Sequence, residues 1–169
     1  MKSANLFKSR DLSKLLKFLL LAILTSSMAL SQSNSFGSLA TDRTKSIEFK
    51  SERLIFNQEM NLAELFVGVK ITQGRTILSA EYVKAIYSRD NSLETVYAKG
   101  NIELKSDHDI ARADEAIYSL TNNSISLTGN AKLIQGENSI MANQILINTE
   151  TGLTQLLGSV TTIVSPSIE

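Results

Sequence analysis

Apolar and polar residues alternate along most of this chain with a period of two. Ile47 and Phe49 alternate with Glu48 and Lys50, and Val69 and Ile71 with Lys70 and Thr72. Ile102 and Leu104 alternate with Glu103 and Lys105, and Ile125 and Leu127 with Ser124, Ser126 and Thr128. This alternation predicts strands with one buried and one wetted face. Turn formers separate them: Arg89-Asp90-Asn91-Ser92, Asp107-His108-Asp109, Thr121-Asn122-Asn123, Gln135-Gly136-Glu137-Asn138 and Thr149-Glu150-Thr151-Gly152. They recur at intervals of roughly 13 to 17 residues. Only Asn57 to Leu65 offers helix-like spacing, through Met60, Leu62, Ala63 and Leu65, and its shortness favours strand-turn-strand. The sole proline, Pro166, falls beyond the last strand, where it removes no ladder hydrogen bond. The pattern predicts an all-β protein.

A weak internal repeat sharpens this. Gly100, Gly129 and Gly158 lie 29 residues apart, and each opens an alternating segment: Gly-Asn-Ile-Glu-Leu, Gly-Asn-Ala-Lys-Leu and Gly-Ser-Val-Thr-Thr. An earlier copy, Val69-Lys70-Ile71-Thr72-Gln73-Gly74, aligns with Ala131-Lys132-Leu133-Ile134-Gln135-Gly136. Six residues beyond each closing glycine stands a pair of a small and a polar residue, Ala80-Glu81 and Ala142-Asn143. A third pair, Ala113-Asp114, precedes Ala142 by 29 residues. Such periodicity implies stacked β units that cannot bury an apolar face alone.

Not all 169 residues belong to that pattern. Lys2, Lys8, Arg10, Lys14 and Lys17 form a basic start, Leu15 to Leu24 is an almost unbroken apolar run, and small and polar residues follow to Ser31. This is the layout of a secretory signal peptide, with cleavage after Ala29 or Ser31. The run is about half of the roughly 20 apolar residues a spanning helix needs. Residues 1–31 are therefore read as signal peptide, 32–45 (Ser-, Gln-, Asn- and Thr-rich) as a flexible lead-in, 46–166 as the β domain and 167–169 as a tail. The precursor has 17 basic and 17 acidic residues; the leader removes five and one, leaving 12 against 16, a net of −4. A mildly acidic domain suits nucleic acid poorly, because phosphate binding relies on Lys and Arg. There is no cysteine, so burial and strand pairing alone hold the fold.

Catalytic groups are scarce. His108 is the single histidine, which excludes a two-histidine metal site. Asp107-His108-Asp109 reads as a solvated turn, and Glu48, Glu81, Glu103, Asp114 and Glu137 fall singly on outward strand faces. No Gly-x-Ser-x-Gly elbow or phosphate-cradling glycine loop occurs. The apolar stripe remains: Val69, Ile71, Leu78, Ala80 and Tyr82, continued by Ile102, Leu104, Ile117, Ile125, Leu127, Ala131, Leu133, Ile140 and Leu146. Periodicity is compatible both with an ordinary core between two sheets and with a sheet folded over to leave an apolar slot for acyl chains. In such a slot each buried methylene contributes about 0.8 kcal/mol.

Four segments carry a family resemblance. Val69 to Gly74 with Ala80-Glu81, Leu127 to Leu133, Ile140 to Asn148, and Val160 to Pro166 resemble the OstA-like periplasmic lipopolysaccharide-transport proteins, nearest the soluble bridge component (LptA type). The resemblance spans about residues 46–166 and implies an open, twisted β-jellyroll whose interior carries the acyl chains of lipid A. It implies a periplasmic, non-enzymatic role without cofactor. It further implies head-to-tail self-association into a bridge between an inner-membrane-anchored export subunit and the matching domain of an outer-membrane translocon. The segment between Gly74 and Gly100 lacks the glycine-rich insertion of some members, which implies a different rim near Arg89–Ser92.

Strand parity then assigns Phe49, Val69, Ile71, Leu78, Ile102, Leu104, Ile117, Leu127, Leu133 and Leu146 as interior, lipid-contacting positions. One β-bulge would invert a strand's faces and its assignments. Two rival readings are a membrane-anchored assembly subunit of the same machine, with the N-terminal apolar segment uncleaved, and an exported carbohydrate-active β-solenoid. The latter needs converging carboxylates that nothing in the sequence singles out.

Overall fold

The computed structural model describes residues 36–164, so the expected signal peptide, Pro166 and the tail lie outside the described residues. The described chain is one open antiparallel sheet of ten strands with a single short helix. Helix α1 is Gly37–Asp42. The strands are β1 (Ile47–Lys50), β2 (Arg53–Asn57), β3 (Leu62–Gln73), β4 (Thr76–Tyr87), β5 (Leu93–Ser106), β6 (Asp109–Ser119), β7 (Ser124–Gln135), β8 (Asn138–Asn148), β9 (Thr154–Leu157) and β10 (Thr161–Ile163). Asn57 to Leu65 is indeed strand-turn-strand, the end of β2 joined to the start of β3.

Strands β3 to β8 pair as successive hairpins. The two ends of β3 pair with different short strands, β2 along Leu62–Phe66 and β1 along Lys70–Gln73. Strand β8 repeats the arrangement, with β10 along Ser139–Met141 and β9 along Gln144–Ile147. Each edge of the sheet is thus a broken strand pair, and the sheet does not close.

The break continues across the sheet as a seam of register shifts, at Phe66/Val69, Ser79/Tyr82, Lys99/Ile102, Arg112/Glu115 and Thr128/Ala131. At this seam the odd-numbered strands place two consecutive residues in the left-handed region: Val67-Gly68, Gly100-Asn101 and Gly129-Asn130. The even-numbered strands have one residue fewer there, so β-bulges line up from strand to strand. The repeated glycines are needed for close approach as well as for backbone angle. A Cβ on Gly100 would lie 2.5 Å from the Glu81 carboxylate, one on Gly129 2.6 Å from that of Asp114, and one on Gly158 2.9 Å from Asn143. Asn130 Nδ2 donates to Asp114 Oδ2 at 2.8 Å, and Asn101 donates to Glu81 in the same way. The glycine repeat and the small-polar pairs are therefore the two sides of one seam.

The seam divides the sheet into a first half, bearing β1 and β10, and a second half, bearing β2 and β9. The inward positions form rows that register follows from edge to edge. In the first half one row runs Phe49, Ile71, Leu78, Leu104, Ala111, Leu133, Ile140 and Thr162. In the second half one runs Leu54, Leu65, Val83, Ala98, Ala116, Leu127, Ile145 and Leu156. The buried members of both halves belong to a single apolar cluster, so the sheet is folded over on itself at the seam. The many alanines let the halves approach closely, and each buried Leu or Ile contributes about 1.5–3 kcal/mol.

The segment expected to be a flexible lead-in departs from that reading. Phe36, which precedes α1, is 1% exposed and Leu39, within it, is 5% exposed, and both belong to the apolar cluster. The polar composition of residues 32–45 concealed two apolar anchors at a spacing of three, too few to produce a periodic signal.

Candidate functional site

The inward rows of the two halves meet around an apolar interior lined by Ile71, Leu78 and Leu104 from the first half and Val96, Tyr118 and Ile125 from the second. Leu39 of α1, Ile47 of β1, Ala116 and the polar Gln73 and Thr76 complete the lining, and the free volume is about 40 Å³. The wall is almost wholly hydrocarbon. Tyr118 supplies one hydroxyl; burial pushes its ionisation up, opposed by the Arg43 charge and a hydrogen bond with Thr149.

Val69, Ile71, Ile102, Leu104, Leu127 and Leu133 are buried members of the apolar cluster, and Phe49 and Leu78 are partly buried against it. Two assigned positions need correction. Ile117 is 41% exposed, and Leu146 lies between the fully buried Ile145 and Ile147, on the opposite face. Both follow the seam on an even-numbered strand, opposite the bulge of its neighbour. In β6 the inward series is Ala111, Ala113, Ala116, Tyr118; in β8 it is Ala142, Ile145, Ile147. Parity carried through the seam without the shift selects Ile117 and Leu146. Tyr82, counted in the apolar stripe, is displaced in the same way, and Val83 at 0% exposure takes the inward place.

Tyr82 instead belongs to an outer-face group. Its hydroxyl donates to Glu64 Oε1 at 2.5 Å, and its ring lies 5.2 Å from that of Phe66, over which the Arg53 guanidinium stacks at 4.3 Å. Burial, then the hydrogen bond to Glu64 and its charge, push the phenol up to about 12. Glu103 accepts from Arg112 and pairs with Lys105 at 2.7 Å, and these two cations hold its carboxyl below the usual range. These groups stabilise the outer face and form no converging acid–base pair. Among the described residues no cluster of metal-ligating side chains occurs.

At the mouth opposite the seam, the inward positions turn polar: Gln73, Thr76, Ser106 and Asp109. Helix α1 is anchored there. The Phe36 amide donates to Asp109 Oδ2 at 2.7 Å, Ser38 Oγ contacts Ser106 Oγ, and Asp42 Oδ2 accepts from the Arg75 amide at 2.6 Å. Gln73 Nε2 donates to the carbonyls of Arg43 and Lys45 at 3.0 and 3.1 Å. From the other side Arg43 reaches Glu150, in the β8–β9 turn of the second half, at 3.1 Å. The helix is thus tied to both lips of the fold. Sequence reasoning missed this element entirely, along with Val83, Ile145 and Ile147.

The edges are apolar too. In β2, Leu54 is 59% and Phe56 57% exposed, with Ile55 between them at 45%; at the other edge Ile163 is 53% and Val164 67% exposed.

An open antiparallel sheet folded over a dry interior, with both edges left unpaired, defines an open β-jellyroll. The family described as LptA/(LptD N-terminal domain) LPS transport protein matches residues 48–153, and the chain belongs to that family. Its fold is also similar to that of LptH, described as the LptA homologous periplasmic component of the conserved lipopolysaccharide transport device from Pseudomonas aeruginosa. That likeness covers 74% of this chain and 99% of LptH, with 19% identity and a TM-score of 0.66. No curated protein matches the sequence.

Proposed function

We propose that the protein is a periplasmic, non-enzymatic lipopolysaccharide carrier that holds lipid A acyl chains between the two halves of its folded sheet. The observation that carries this reading is the hydrocarbon interior, built from rows that run unbroken from one edge strand to the other. Acyl chains need no ion pair there, since each methylene transferred from water contributes about 0.8 kcal/mol. Family membership and the periplasmic description of LptH support the same role.

The bridging part of the proposal rests on the edges. Unpaired apolar strands are an aggregation liability unless a partner covers them. Addition of β2 of one protomer to the β9–β10 edge of the next would continue the inner rows from subunit to subunit. Such a heterologous contact does not close on itself and so extends. Its two ends would meet the inner-membrane-anchored export subunit and the outer-membrane translocon domain. Residues 1–31 would act as a cleaved signal peptide.

Site-specific photocrosslinking tests the carrier role. A photoreactive residue at Leu104 or Leu133 is expected to capture lipopolysaccharide, and one at Ile117 is not. Equal capture at all three positions would remove the interior from the proposal. Native mass spectrometry of the processed protein checks the bridge: oligomers should grow one protomer at a time, and a closed monomer would refute it.

A further inference from the structure

The interior as it stands is too small for its proposed cargo. A dry cavity that accepts benzene measures about 150 Å³, and the free volume here is about 40 Å³. Part of the missing space is taken by the chain itself, because Leu39 lines the cavity and Phe36 is buried in the same apolar cluster.

We propose that Phe36–Asp42 is a displaceable plug that competes with acyl chains for the slot. The inference rests on the carrier reading and adds how its site opens. Three observations make the plug a two-state element rather than fixed core. First, α1 has six residues, no side-chain N-cap, no acidic residue in its first turn and no basic residue in its last. A helix this short does not persist in water, so its order depends on docking. Second, Phe36 is held at a φ of 57°, a strained setting for a bulky residue. Third, Asp42 is 1% exposed and its Oδ1 has no hydrogen-bond partner, with Lys45 Nζ 3.7 Å away. A buried carboxylate oxygen held by one long ion pair and no hydrogen bond is weakly satisfied, which disfavours the docked state. Against these stand two apolar anchors, the bonds to Ser106, Asp109 and Arg75, and, just beyond the helix, those of Arg43 and Lys45 with Gln73 and of Arg43 with Glu150. None of them is part of the sheet ladder, so the plug can leave with every strand pairing intact. The acyl chain replaces one hydrocarbon occupant with another, and withdrawal of α1 opens the mouth opposite the seam.

The chain has no cysteine, so the plug can be locked by design. Ser38 and Ser106 are in direct side-chain contact, and the Ser38→Cys, Ser106→Cys protein should form one disulfide on oxidation. The processed protein is titrated with a lipid A analogue bearing a fluorescent acyl chain, competed by purified lipopolysaccharide. The locked form is expected to bind at least about tenfold more weakly than wild type, with recovery on reduction, because apparent affinity scales with the open fraction. The Leu39→Asp protein, whose plug cannot redock, is expected to bind more tightly than wild type, with circular dichroism confirming an intact sheet. Wild-type affinity in the oxidised, thiol-free locked form overturns the plug and leaves the carrier reading standing. Unchanged affinity in Leu39→Asp overturns it as well. Binding by Leu39→Asp alone supports the plug in its strongest form. No binding by any variant overturns the carrier reading and the plug together.

Discussion

Replacing Gly129 with alanine tests the seam that folds the sheet. Two penalties apply at this position. Its φ of +74° costs an L side chain about 1–2 kcal/mol. The new methyl would also sit 2.6 Å from Asp114 Oδ2 and 2.9 Å from Asp114 Cβ. The carboxylate end can rotate away, but the Cβ is fixed to the β6 backbone. Relief therefore displaces the bulge and breaks the Asn130–Asp114 bond, itself worth about 0.5–1.5 kcal/mol. Gly136 isolates the first penalty: its φ is +58°, and a Cβ there meets nothing within 4 Å. Gly136→Ala is expected to cost about 1–2 kcal/mol and Gly129→Ala about 2–4 kcal/mol. Urea unfolding followed by far-ultraviolet circular dichroism measures both, read as midpoint shifts at unchanged slope. Equal losses would refute the reasoning, because Gly129 would then serve backbone angle alone.

The two faces of the sheet should answer differently to truncation. Leu127→Ala, at a position 0% exposed, is expected to lose about 2–5 kcal/mol, and Ile117→Ala, which sits outside, about 0.5 kcal/mol or less; comparable losses in urea melts would contradict the inward rows. Ultraviolet titration of the tyrosines should show two phenols ionising late, Tyr118 through its burial and Tyr82, raised to about 12 against about 10 unfolded. Its neutral form is favoured by folding, so this contribution is fully present below about pH 10 and is lost as pH rises through the folded value. Glu64→Gln should bring the Tyr82 ionisation down and leave that of Tyr118 in place; a late ionisation of both phenols unchanged by Glu64→Gln would refute the assignment.

The sheet was legible because one-sided burial imprints a period of two, and β3 to β8 each keep it over several residues. The repeat was legible for a different reason. At Gly100 and Gly129 only a residue without a side chain fits beneath Glu81 and Asp114, so the bulges recur as letters in the sequence. The pairing of those glycines with the small-polar positions was visible only as spacing. That they touch across neighbouring strands is a fact of register, which no single strand encodes. Helix α1 left no trace, since two apolar side chains in a polar stretch define neither a stripe nor a moment.

The interior was readable only as far as the seam. On β5 and β7 the two left-handed residues preserve parity, so Ala98 and Ile102 face inward together, as do Leu127 and Ala131. On β6 and β8 the compensating strand carries one residue fewer, and inward positions change from 113 to 116 and from 142 to 145. Ile117 and Leu146 were misplaced by that single step. The signal that could have corrected them was present in the glycine repeat. A left-handed pair on one strand obliges an inversion on its neighbour, because both must keep an apolar face toward the same interior. Read this way, Asp114 and Asn143 mark where inside and outside exchange along their own strands. The rows that proposed acyl chains would follow therefore switch register at each polar residue facing a seam glycine. The residues that looked least relevant to lipid are the ones that decide which aliphatic side chains reach it.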